Sequence, residues 1–168
     1  MKRAYPILSA RSILYGGVSG GFCFLSRTLF GNPLGMIYFT EGKSLLPSLW
    51  LFNILSVAAC GAMGMSLGWV IDHVANGNNT GQRSVCVYRG ALFLSFAFFL
   101  FVVWFPTLFF GQRLFVSLVL SVAAMICSLI CAFEWSRVLP TRASVVIYAD
   151  TVWMFYITLV SLSIWWKS

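Results

Sequence analysis

Apolar residues run through this chain in five long blocks, each bounded by charges or turn residues. They fall at about 7–28, 47–71, 90–109, 114–134 and 144–166. A helix needs roughly 20 apolar residues to cross the hydrocarbon of a bilayer. A run of that length must satisfy its own backbone hydrogen bonds there, which leaves the helix as the form each block takes. The pattern predicts an all-α, polytopic integral membrane protein: a bundle of five transmembrane helices making a single transmembrane domain over 1–168. Arg11 and Arg27 lie near the ends of the first block, the stretch 44–71 has no charge, and the fifth block contains Asp150. The segment 31–46, with Asn32, Pro33, Glu41 and Lys43, joins the first two blocks. The segment 72–89 joins the next two; it carries NGNNTGQ, a flexible polar loop, and the single histidine, His73.

Composition agrees with the pattern. Of 168 residues, 60% are hydrophobic and only 9% charged, against roughly 25% charged in a soluble domain. Such a chain has too little polar surface to cover itself in water, whereas lipid asks for none. The net charge of +7 would suggest nucleic acid in a soluble protein. Here the bases stand singly at the ends of apolar blocks, so no nucleic-acid partner is expected; membrane lipid is. The opening MKRAYPILSARSILYGG starts like a signal peptide, but Arg11 interrupts its apolar run and no small-residue cleavage site follows, so it reads as a first membrane helix. Lys2, Arg3, Arg11, Arg83, Arg89, Arg137 and Arg142 fall on one side of the membrane, and Arg27, Lys43, Arg113 and Lys167 on the other. That bias predicts a cytoplasmic N-terminus. The sequon at Asn78 then lies on the cytoplasmic side, as a chance match.

Small residues mark helix contacts. Gly16 and Gly20, and Gly17 and Gly21, form two overlapping G-x-x-x-G pairs; Gly61, Gly64 and Gly68 follow in the second block, and Ser117, Ser121, Ala124 and Ser128 stripe the fourth. Such stripes let helix backbones approach closely in lipid. They serve packing within the bundle or a homodimer. Among the seven tryptophans, Trp69, Trp135, Trp165 and Trp166 sit where indoles anchor at the headgroups, whereas Trp153 is mid-block. Packing or a pocket for a flat ligand explains Trp153. Asp150 is the single acid well within a block, read as functional or paired, or as shallow and interfacial. Arg27 reads as a snorkelling cation. The five cysteines show no C-x-x-C pair and read as packing thiols rather than a metal or disulfide framework. No nucleophile–base constellation is present.

The stretch WFPTLFFGQR at 104–113 resembles the W-x-P-x-x-F-F-G-x-R-like signature of the TspO/MBR family, the tryptophan-rich sensory proteins related to the translocator protein. In the resemblance, the family's fifth-helix tryptophan falls at Trp153 and the aromatic three residues on at Tyr156. Ser26-Arg27 matches the end of helix one, Pro47 and Trp50 the opening of helix two, and Ala62-Met63-Gly64 its middle. It covers roughly residues 16–166. The chain departs from the family at Ser56 and Phe105, where tryptophans stand, at Ile54 and Val102, and at Val160-Ser161. The tyrosine of the sterol-recognition pattern falls at Leu162.

The resemblance implies five helices around a pocket near the first connection, and a receptor-like protein binding tetrapyrroles such as protoporphyrin IX or similar flat hydrophobic molecules. Porphyrin would be its ligand rather than a required cofactor. Trp50, Phe105 and Trp153 are the aromatic candidates for stacking, Arg27 the cation for propionates or a loop anchor, and Pro47 part of the same end. A carrier of porphyrin or lipid, or weak light-dependent porphyrin degradation, are the alternatives; the second is set back by Ser56. Sequence points to a bacterial inner membrane, and the resemblance to mitochondrial outer membranes as well.

Overall fold

The structure, a computed structural model, describes residues 9–29, 48–75, 82–110, 114–137 and 141–167. These form five helices: α1 (Ala10–Leu29), α2 (Leu49–Ala75), α3 (Gln82–Phe110), α4 (Leu114–Ser136) and α5 (Thr141–Lys167). There is no strand among the described residues. The chain is all-α.

Helix starts follow local chemistry. The Ser12 backbone N–H donates to Ser9 Oγ at 3.1 Å while the Ser9 N–H donates to Ser12 Oγ at 2.9 Å, a reciprocal cap that begins α1. Two helices outrun their apolar blocks. α3 begins at Gln82 rather than near 90, so Cys86 and Arg89 are helical, and His73 lies in the last turn of α2 rather than in a loop. Charges end an apolar block but do not end a helix. At the headgroups a charged side chain is hydrated while its backbone stays helical.

The outside is apolar, unlike that of a soluble bundle, and several polar side chains are turned inward. Val18, Phe22, Leu92, Phe99, Phe115, Phe133 and Val152 are exposed, while Ser12, Ser56, Ser117, Ser121, Ser128, Asp150, Thr151 and Ser161 are buried. An apolar exterior this extensive requires lipid around it. The interior hydroxyls are accommodated because several bond their own helix four residues back: Ser56 to Phe52 O at 2.8 Å, Thr151 to Ile147 O at 2.9 Å and Ser161 to Ile157 O at 2.9 Å.

Four helices are long and apolar enough to cross a membrane, over Trp50–Asp72, Val85–Trp104, Leu114–Ser136 and Val145–Trp166. α1 does not stand out in this way because glycine and serine occupy much of it. Its 20 residues still make a rod of roughly 30 Å, the thickness of the hydrocarbon core. It lies antiparallel along α2, from Arg27 against Asn53 at one end to Arg11 against Asp72 (3.4 Å) at the other. The protein is an integral membrane protein.

Glycine sets that pairing. A Cβ on Gly20 would sit 3.7 Å from Gly61 Cα, and one on Gly68 would sit 2.7 Å from Ser12 Cα. Gly17 and Gly21 face away, with nothing within 4 Å, so Gly16 and Gly20 are the half of the overlapping pairs that α2 uses. The serine stripe of α4 is likewise used inside the bundle. Ser128 and Thr151 share a hydrogen bond at 3.0 Å, and Thr158 donates to the Ser121 carbonyl at 3.2 Å. α3 packs on α4 and α4 on α5, while α2 meets α3 and α5 more sparsely. The helices therefore run around the bundle in the order α1, α2, α5, α4, α3.

Two tryptophans expected at the headgroups are core residues instead. Trp69 is buried, and Trp135 is fully enclosed, its Nε1–H donating to the Val87 carbonyl at 3.1 Å over the bare backbone of Gly90. An indole near a helix end stays inside when a neighbouring helix offers it both a glycine hollow and an acceptor. Trp166, by contrast, is exposed.

Candidate ligand-binding site

The bundle consists of a tight α1–α2 pair and a tight α3–α4–α5 trio, with a seam between them filled by large side chains. At the end of the seam near the first connection, Phe52 of α2 meets Trp153 of α5, centroids 5.6 Å apart, and Trp153 meets Tyr156 at 5.3 Å. From α3, Phe101 stacks on Trp104 at 5.9 Å and 9°, and Trp104 Nε1–H donates to Ser161 Oγ of α5 at 2.9 Å. Arg27, in the last turn of α1, is only 8% exposed. Its Nη1 donates to Asn53 Oδ1 at 2.6 Å, and its guanidinium lies 5.3 Å from the centre of the Phe52 ring. It is an inward-facing cation held by α2, not a snorkelling one.

A crevice lined by Cys23, Ser26, Arg27, Phe101 and Val102 opens beside this cluster and has room for about one water, ≈ 10 Å³. Pockets for drug-sized ligands run to roughly 300–1,000 Å³. A flat ligand would therefore enter by parting the seam. Pro106 of α3 has no N–H to give to the Val102 carbonyl, which weakens the helix at the crevice wall.

The sequence-derived candidates divide. Trp153 and Arg27 come together, both against Phe52. Trp153 is half-buried, and its Nε1–H has no hydrogen-bond partner among the described residues. Trp50 is 65% exposed in the first turn of α2 and is not brought to that cluster. Phe105 lies on α3 directly after Trp104, but its side chain, like the whole of Pro47, falls outside the described residues. Sequence reasoning missed Phe52, Asn53 and Phe101. Asn53 carried a signal, as a polar side chain one turn into an uncharged block; Phe52 and Phe101 carried none, being two of sixteen phenylalanines.

Asp150 is 3% exposed, and its Oδ2 has no hydrogen-bond partner among the described residues. It faces the bundle rather than the interface, in electrostatic reach of Cys60 and Cys131. A buried polar atom without a partner is destabilising by on the order of 1–3 kcal/mol. Asp150→Leu, similar in size and without a polar side-chain atom, is expected to raise the melting temperature in detergent. A lower melting temperature would mean that the acid has a stabilising partner.

Neither a curated protein nor a solved structure matches this chain. The model of the TspO/MBR family matches residues 32–167, which takes in α2 to α5 and the aromatic cluster they carry but leaves out α1. By that match, and with its apolar helices, the chain belongs to the TspO/MBR family.

Proposed function

We propose that this protein is a membrane receptor-like binder of flat hydrophobic ligands, tetrapyrroles such as protoporphyrin IX foremost. The ligand would lie in the seam between α1–α2 and α3–α5. Membership of a family of membrane sensory or binding proteins supports the reading. The observation that carries it is Trp153, an indole packed at a tilt against Phe52 and Tyr156 whose N–H is left without a partner among the described residues. An aromatic face attracts a flat π-system, and an unmet buried donor favours a ligand that brings an acceptor. Arg27 supplies a buried guanidinium, which matches carboxylates through charge-assisted bonds. A propionate-bearing porphyrin would present its ring to Trp153 and its acids to Arg27.

The test is protoporphyrin binding to the purified protein, followed by fluorescence quenching. Trp153→Leu is expected to weaken binding about tenfold, which corresponds to a loss of about 1.4 kcal/mol. The wild type is expected to prefer protoporphyrin to its dimethyl ester, and Arg27→Gln to lose that preference. An unchanged affinity in Trp153→Leu removes the indole from the site, and failure of the wild type to bind any flat aromatic ligand removes the reading.

A further inference from the structure

The glycine contact between α1 and α2 has a chemical consequence. Cys23 lies one turn beyond Gly20 on α1, and Cys60 lies next to Gly61 on α2. Gly20 and Gly61 bring the two backbones almost into contact, and both cysteine side chains are buried beside that contact. The two thiols lie within electrostatic reach of each other. Cys23 Sγ also lies 3.8 Å from the Ser56 carbonyl, on the same stretch of α2. The Arg27 guanidinium is in electrostatic reach of both sulfurs. Both cysteines are free. The remaining thiols differ: Cys86 lies in electrostatic reach of Glu134, and burial alone or with Asp150 sets the surroundings of Cys127 and Cys131.

We propose that Cys23 and Cys60 are an oxidisable dithiol, a site that converts to a disulfide and locks α1 to α2 beside the seam. A disulfide needs Cα atoms about 4.4–6.8 Å apart, a spacing that helices in near backbone contact provide. The two sulfurs have different roles. Cys23 lines the crevice and Cys60 does not, so Cys23 is the sulfur an oxidant reaches first when the seam parts. The surroundings are lipid, and the oxidant class is an organic hydroperoxide dissolved in the bilayer. The Cys23 sulfur attacks the terminal peroxide oxygen and the O–O bond breaks. The alcohol leaves with the thiol proton, and Cys23 becomes a sulfenic acid. The Cys60 sulfur then attacks the Cys23 sulfur, the S–O bond breaks and water leaves. Two thiols and one hydroperoxide give one disulfide, one alcohol and one water.

The test uses the full chain in liposomes treated with cumene hydroperoxide, then denatured, alkylated and analysed by mass spectrometry. Wild type is expected to lose two of its five alkylatable thiols and to yield a Cys23–Cys60 linked peptide that dithiothreitol cleaves. In Cys60→Ser the sulfenic acid is expected to accumulate at Cys23 and to be trapped by dimedone; in Cys23→Ser no sulfenic acid is expected at Cys60. Cys60→Ala serves in place of the serine variant if that fails to fold. Five alkylatable thiols after treatment of wild type, a linkage through any other pair, or dimedone capture at Cys60 would overturn the proposal. None of these readouts involves porphyrin, so they stand apart from the ligand reading.

Discussion

Gly68→Ala is expected to destabilise the protein markedly, whereas Gly17→Ala, the same change on the facing helix, is expected to leave it unharmed. A Cβ on Gly68 would lie 2.7 Å from Ser12 Cα and 2.9 Å from the Arg11 carbonyl oxygen. Both are backbone atoms, so nothing can rotate aside; α1 must move off α2. Overpacking of this kind costs about 1–3 kcal/mol. In lipid no hydrophobic drive between helices offsets the lost contact. Gly64→Ala is expected to behave alike, because its Cβ would collide with the Tyr15 carbonyl and Ser19. Gly16→Ala is expected to be milder, since its Cβ first meets the flexible Met65 side chain. Gly17 has open space, and alanine is the better helix former by up to about 1 kcal/mol. Thermal unfolding in one detergent, across the four variants, reads the series. Equal losses at Gly68 and Gly17 would show that the α1–α2 contact is not what these glycines serve.

Trp135→Ala is expected to cost about 3–5 kcal/mol, the range for emptying the site of a large buried aromatic. The ring is fully enclosed between α3 and α4, and its N–H bond to Val87 O at 3.1 Å goes with it. Gly90 exists for this indole: a Cβ there would overlap Trp135 Nε1 and Cδ1. Gly90→Ala is therefore expected to be damaging in the wild type and nearly neutral once Trp135 is leucine. Melting temperatures of the two single variants and the double variant give the coupling. Additive losses would mean that the glycine and the indole act separately.

Much of the architecture was legible because lipid simplifies the rules. With water absent, backbone hydrogen bonds must close within each segment, so block length and apolarity suffice to count and place α2 to α5. The helix ends were less legible, since α3 runs on through Arg89 and Cys86 where the apolar block stops. The small-residue stripes could be seen as contacts but not assigned. Gly16 and Gly17 are neighbours of identical chemistry, and only the rotation of α1 against α2 gives one a partner and the other none.

The candidate site followed the same division. Trp153 was visible as an indole in the middle of an apolar block, and Arg27, read there as a snorkelling cation, became a candidate through the family resemblance. Their meeting on Phe52 was not visible, because the three residues come from α5, α1 and α2. The sequence by itself determined the membrane class, the family pattern and the placing of four apolar spans, each a property of one segment and its solvent. Which glycine packs, which tryptophan is core rather than anchor, and which two cysteines lie beside one helix contact were decided only by tertiary structure. Those are relations between segments distant in the chain, fixed by how closely the helices approach and how each is rotated about its axis.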